Sequence, residues 1–215
     1  RSPSRGLGDV YKRQMRDCVI VEKWLAQLEQ ALVRPGSQSL NTLFLSQSYW
    51  RDVLALTSNI QTLCGAEIIS DAIYKRSKDA GLSNIQVELA DMPPRQVTRV
   101  ETETIEAFFI FETSVGCGRG IIRLCPDSAD GGRYKAWTFL TALEELDGYE
   151  EITDAKKPTR QSYLRDFHGP NWLDQRHEAE AYKGHDPTAL VVGGGQAGLA
   201  AAARLTQLGL SLIHI

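Results

Sequence analysis

Apolar positions near the start of the chain fall at helical spacing. Val21, Trp24, Leu25, Leu28, Ala31 and Leu32 recur every three or four residues and predict one amphipathic helix, which Arg34-Pro35-Gly36 stops. Leu40 to Asp52 reads as a further short helical stretch. From Leu54 to Leu63 the period changes, with Leu54, Leu56 and Ile60 on one parity, and a strand is expected. Ala66 to Ala80 returns to helical spacing. Ile69, Ile73 and Ser77 share a stripe, and Gly81 stands where a left-handed carboxyl-terminal cap belongs. Strand signals come next. Ile85 to Leu89 is short, Thr104 to Val115 is rich in Phe and Ile, Gly120 to Cys125 comes after a Gly116-Cys117-Gly118 turn, and Tyr134 to Leu143 comes after Asp130-Gly131-Gly132. Helices first and antiparallel strands afterwards is an α+β order.

Residues 152–186 read as a connector between this domain (15–151) and a carboxyl-terminal segment (187–209). The connector holds Lys156-Lys157-Pro158, then Asp166 to Trp172, then a charged stretch from Asp174 to Lys183 that predicts a short helix with Glu178 and Glu180 facing water. His168 and His177 invite a catalytic reading, although solvated histidines are routine in connectors. Trp172 is suited to dock the connector on a flanking domain.

Residues 187–209 have a different character. Thr188-Ala189-Leu190-Val191-Val192 is a short apolar run of the kind a buried parallel strand needs. Gly193-Gly194-Gly195-Gln196-Ala197-Gly198 comes directly after it, and Leu199 to Leu208 is Ala- and Leu-rich helix. Gly193 permits a tight turn, Gly195 lets the backbone approach a pyrophosphate, and Gly198 lets helix and strand pack closely. The helix amino terminus adds free N–H groups and a positive dipole end. Gly193, Gly194, Gly195, Gln196, Ala197 and Gly198 are therefore the candidate cofactor-binding residues. The bland alternative is a Gly-rich turn of some other α/β protein. The acidic residue that grips a ribose belongs about 20 residues beyond the glycines, which is past the last residue.

Composition narrows the classes. The 215 residues carry a formal charge of -3 with both signs interspersed, which argues against nucleic-acid or membrane-surface partners. No apolar run approaches the roughly 20 residues of a spanning helix. Cys18, Cys64, Cys117 and Cys125 are scattered, with no CxxC pair. They suit reduced, half-buried thiols in a cytoplasmic protein better than disulfides or zinc.

The two ends share an oddity. Asp9-Val-Tyr-Lys-Arg-Gln14 can be written GAT GTG TAT AAG AGA CAG, and the reverse complement of that word translates as Leu210-Ser-Leu-Ile-His-Ile215. The word resembles the transposon end used in sequencing-library preparation, so residues 1–14 and 210–215 are expected to be adaptor artefact that carries no fold information. On this expectation Met15 to Gly209 is a fragment of a longer protein.

Two family resemblances rest on these motifs. Tyr49-Trp50-Arg51-Asp52 ahead of a long helix, with a closing meander carrying Trp137, resembles the cone-shaped α+β fold of the nuclear transport factor and ketosteroid isomerase superfamily, including its SnoaL-like members. The resemblance covers about Gln38 to Glu145. It makes Asp52 a tempting general base, but an Asp beside an Arg is more often a cap or a surface ion pair. It also implies a scaffold or homodimer role.

Gly193 to Leu199 with Ala203-Arg204-Leu205 looks like the FAD motif that opens flavin-containing monooxygenases, with Gly194 in place of the usual Ala. That resemblance implies a parent flavoprotein using FAD and NADPH on a small organic substrate, the NADPH unit lying outside this chain. The expected architecture is thus a cone domain followed by an incomplete Rossmann unit of one strand and one helix, too little to enclose FAD. Two alternatives stay open: a flavin-dependent reductase of the disulfide type, and a cone domain acting as an isomerase-like or binding module.

Overall fold

The computed structural model describes residues 4–90, 92–151, 169, 171–184 and 186–210. They fall into two compact units, Arg1–Asp147 and Gly148–Ile215, and each is described by itself.

In the first unit, helix α1 (Ser4–Val33) is followed by the short α2 (Gln38–Asn41), strands β1 (Phe44–Val53) and β2 (Ile60–Cys64), helix α3 (Ala66–Ala80), and strands β3 (Ser83–Val87), β4 (Arg95–Arg99), β5 (Thr102–Thr113), β6 (Gly116–Asp127) and β7 (Arg133–Leu146). The sheet runs β2-β1-β7-β6-β5-β3, and β4 shares the outer edge of β5 with β3. Every pairing is antiparallel except β1 with β7, which is parallel. Register shifts in β1, β3 and twice along β6–β7 curl the sheet.

The expected helical spacing of α1 packs as written. Val21, Trp24, Leu25, Leu28 and Ala31 are buried against the inner face of the sheet, with Ile105, Phe109, Phe111, Ile122 and Phe139. The Trp24 ring lies 5.8 Å from Phe44 and 5.7 Å from Phe139, and Phe139 stacks on Phe109 at 5.2 Å. Trp24 Nε1 donates to the Leu43 carbonyl at 3.0 Å, so the buried indole loses no hydrogen bond. Helix α3 spans the expected residues, buries Ile69, Ile73 and Ser77, and ends at Gly81 in the left-handed region with φ 66°.

Several expectations are corrected. Leu40 to Asp52 is mostly strand β1 rather than helix, because Ser48, Trp50 and Asp52 alternate inward at period two. Leu54 to Leu63 is not one strand. Leu54 has φ 62°, the chain bends through Asn59, and β2 begins only at Ile60. Gly116-Cys117-Gly118 is the start of β6 and not a turn; the reversal lies at Ser114-Val115. Two glycines of β6, Gly118 and Gly120, are required by the aromatic core. A Cβ on Gly118 would sit 2.4 Å from the Phe111 ring, and one on Gly120 would sit 2.0 Å from the Phe109 ring. Strand β4 has no counterpart among the expected elements.

The second unit contains α4 (Trp172–Glu180) and α5 (Gln196–Gln207). Asn171 caps α4, its Oδ1 accepting from the backbone of Leu173 and Asp174. Glu178 faces water as expected, whereas Glu180 is half-buried and pairs with Arg176 at 2.7 Å. His168 and the Trp172 side chain lie outside the described residues; His177 is exposed.

Candidate functional site

In the second unit the candidate residues form a bend that leads directly into α5. Gly193 has φ 105°, a value that L side chains rarely adopt. Gly195 precedes the helix in an extended conformation, and the Leu199 amide donates to the Gly195 carbonyl at 3.0 Å. The amides of Gln196, Ala197 and Gly198 lie in the first turn, ahead of the intrahelical ladder, and no acidic residue stands among them. A Cβ on Gly193, Gly194 or Gly195 would meet nothing within 4 Å. A Cβ on Gly198 would fall 2.0 Å from the Gly193 carbonyl oxygen and 3.6 Å from Val191 Cγ1. The close approach of helix to incoming chain is therefore real and depends on Gly198.

Thr188 to Val192, expected as a strand, has no ladder among the described residues. A parallel strand exists only beside a neighbour. Leu190, Val192 and Leu199 are 78%, 88% and 64% exposed, and no residue of α5 is buried. The observed feature is thus a glycine bend into a helix that half-buries Ala202, Leu205 and Leu208 and leaves Leu190, Val192 and Leu199 exposed.

Asp52, in the first unit, is neither an end cap of a helix nor a surface ion pair. It is fully buried on the inner face of the sheet. Its Oδ1 accepts from Thr141 Oγ1 at 2.6 Å; its Oδ2 accepts from the Thr57 amide at 2.8 Å and Thr57 Oγ1 at 2.7 Å; the Leu56 amide reaches both oxygens at 3.2 Å. Trp50 Nε1 in turn donates to Thr141 Oγ1 at 3.0 Å. The neighbouring Arg51 turns outward and donates to Thr62. The carboxylate organises the 54–59 bend and ties it to β7.

A third constellation was not visible in the sequence. Glu106 is 4% exposed on the outer face of the sheet, yet Arg95, Arg99 and Arg123 all donate to it at 2.8–3.2 Å. Burial alone would raise its pKa. The hydrogen bonds from Arg99, Arg95 and Arg123 outweigh that and bring it to about 2. These partners lie 7 to 17 residues away in sequence, so only strand pairing assembles them.

Among the described residues no group of His, Cys, Asp or Glu could hold a metal ion, and no helix is long and apolar enough to cross a membrane. The four cysteines are unpaired. Cys18 is half-buried and Cys125 buried, as thiols of a core would be, but Cys64 and Cys117 are exposed.

No family model matches the chain, and no curated protein matches it. Solved structures do resemble it. A domain of unknown function with a cystatin-like fold from Nostoc punctiforme aligns at a TM-score of 0.44 and 16% identity, covering 77% of this chain and 94% of that one. A nuclear transport factor 2-like superfamily protein from Salmonella enterica serovar Typhimurium gives 0.42 and 12%, covering 62% and 95%. A ketosteroid isomerase-like protein from Erwinia carotovora atroseptica gives 0.42 and 7%, covering 60% and 97%. At these scores the α+β description stands on the chain's own helices and curled sheet.

Proposed function

We propose that the Gly193–Gly198 bend is the pyrophosphate-binding turn of a dinucleotide unit, and that the chain belongs to an FAD-dependent oxidoreductase. The observation that carries this reading is the contact of Gly198 with Gly193. A bend in which the helix start is pressed on the preceding carbonyl aims the first-turn amides at one point beyond Gly195. The absence of side chains at Gly194 and Gly195 would let a diphosphate approach the backbone. In the finer form of the proposal the parent protein is an FAD- and NADPH-dependent monooxygenase of a small organic substrate, supported by the glycine motif alone. When bound, FAD would supply the redox chemistry, while the residues here would hold and orient its phosphates.

Backbone NMR of the full chain tests the reading. FAD or ADP is expected to move the amides of Gly194 to Leu199 with an affinity near the millimolar range, about 4 kcal/mol, because one bend and one helix make few contacts. Adenosine should leave them unmoved, and Gly198→Val should abolish the response. An unchanged spectrum, or equal shifts with adenosine, would refute the proposal.

The first unit we read as a nuclear-transport-factor-like cone that serves as a binding or assembly module. Its interior is filled by Trp24, Phe44, Phe109 and Phe139, and the acceptor capacity of Asp52 is already taken by Leu56, Thr57 and Thr141. An isomerase-like role would need a carboxylate that a substrate can reach.

A further inference from the structure

Helix α1 sorts its charge by face. Glu29 Oε1 accepts from the Ile85 amide at 3.0 Å, and Asp17 Oδ1 accepts from the Gln96 side chain at 3.4 Å, so both carboxylates are turned towards β3 and β4. Glu22 stands two helical turns before Glu29 and shares its face. The flank that looks towards α2 and the β6–β7 turn is different. Ile20, Lys23, Gln27, Gln30 and Arg34 follow one another there at helical spacing, and none of them is acidic.

That flank is one wall of a groove. A stretch of about 450 Å³ runs along Gln27, Gln30 and Arg34, with Gln38 and Arg133 also lining it. A second stretch of about 310 Å³ runs along Lys23 and Gln27, again with Arg133. Gln27 and Arg133 line both, so the two adjoin. No carboxylate lines either stretch. Their floor holds the buried side chains of Trp24, Ala31 and Leu43. Among the described residues Lys23 and Arg34 have no ion-pair partner. Arg133 has Asp130 only at 3.8 Å, and Lys135 holds that carboxylate more closely, at 3.1 Å. The groove therefore carries three cations with little counter-charge of their own.

We propose that this groove binds an extended acidic peptide segment of a partner protein. This gives the binding reading of the first unit a partner class and rests on it. Lys23 and Arg34 stand about 16 Å apart along the helix at its rise per residue. One small anion cannot bridge that distance, whereas an extended segment of about five residues matches it. Alternate residues of such a segment point to one side, so Glu-x-Glu-x-Glu presents its carboxylates together over about 13 Å. The long arms of Lys23, Arg133 and Arg34 take up the remainder. Gln27, Gln30 and Gln38 supply what a peptide main chain needs, since a carboxamide both donates and accepts. A phosphodiester backbone offers acceptors only and would leave the carboxamide oxygens idle. The formal charge of -3 on the whole chain also opposes a long polyanion.

Fluorescence anisotropy of the full chain with a fluorescein-labelled Gly-Glu-Gly-Glu-Gly-Glu-Gly peptide tests the proposal. Saturable binding that weakens as salt rises is expected, and the same peptide with Gln in place of Glu should not bind. Lys23→Glu, Arg34→Glu and Arg133→Glu should each weaken binding about ten-fold, through a lost pair and a new repulsion. The variant with all three changes should instead take the peptide that has Lys in place of Glu. Gln27→Leu should weaken binding without altering its salt dependence, and Lys75→Glu, on the exposed face of α3, should change nothing. Far-UV circular dichroism and melting of each variant separate loss of binding from loss of fold. Peptide binding that survives the three reversals overturns the groove and leaves a binding module standing elsewhere on the unit. An oligothymidylate that competes as well as the peptide overturns the peptide assignment. A chain that binds neither probe and sediments as a monomer overturns both this proposal and the reading on which it rests.

Discussion

Glu106→Gln isolates the largest electrostatic investment in the sheet. A carboxyl whose pKa falls from 4.5 in the unfolded chain to about 2 in the fold favours the folded, ionised state by about 3 kcal/mol. That is an upper value, because Arg95, Arg99 and Arg123 are 48%, 44% and 30% exposed and their charges are partly screened by water. Glutamine keeps the shape and can accept hydrogen bonds, but it leaves three guanidiniums without a counter-charge.

Urea unfolding followed by tryptophan fluorescence should show a loss of about 2–3 kcal/mol at pH 7, a large part of the roughly 5–15 kcal/mol of a typical domain. The folded pKa is depressed, so the wild-type advantage is complete above about pH 4.5 and disappears as pH falls towards about 2. The two proteins should therefore converge in acid. A difference below about 0.5 kcal/mol at pH 7, the usual range for neutral surface changes, would show that Glu106 is incidental. A difference that persists unchanged at low pH would show that packing and not charge is responsible.

Two further substitutions test the inner face. Asp52→Ala removes the acceptor of four donor groups at once and should cost about 3 kcal/mol or more, with the Leu56 and Thr57 amides exchanging faster than the rest of β1; unchanged stability would remove the structural role assigned to this carboxylate. Gly120→Ala sets a methyl 2.0 Å from the Phe109 ring and 2.5 Å from the Leu140 carbonyl oxygen, so an overpacking loss of about 2 kcal/mol is expected in the same unfolding assay, and a neutral result would mean the β6–β7 register is looser than described.

Periodicity was a good guide where inward positions are apolar and a poor one where they are not. Helices α1 and α3 carried their stripes in Trp24, Leu28, Ile69 and Ile73, and Gly81 marked its own boundary. Strand β1 escaped because two of its inward positions are Ser48 and Asp52, which an apolar count scores as solvent-facing. Strand β4, Arg-Gln-Val-Thr-Arg, holds one apolar residue and owes its place to pairing with β5 and to Glu106 beyond it. The Gly-Cys-Gly misreading has a similar origin. Glycine usually signals a turn, but here the Glu145 carbonyl beside Gly116 and the Phe111 ring beside Gly118 occupy the space a side chain would need. At the candidate site the structure bears on two of the glycines, the positive φ of Gly193 and the crowding at Gly198. A neighbouring strand for Leu190 to Val192 could not be read from the run itself, since a ladder belongs to two segments.

The parallel pairing of β1 with β7 has a consequence for synthesis. Trp50 and Asp52 meet their partner Thr141 across about 90 residues of chain, and β1 has only β2 on its other side. As the polypeptide emerges from the ribosome, the β1–β2 hairpin must wait, without its central neighbour, until β7 has been translated. Closure of so long a loop makes the final step slow compared with helix formation. During that interval the Trp50 indole lacks its Thr141 partner and Phe44 lacks Phe139, so apolar surface of the finished core is exposed for longer than the helices need to form.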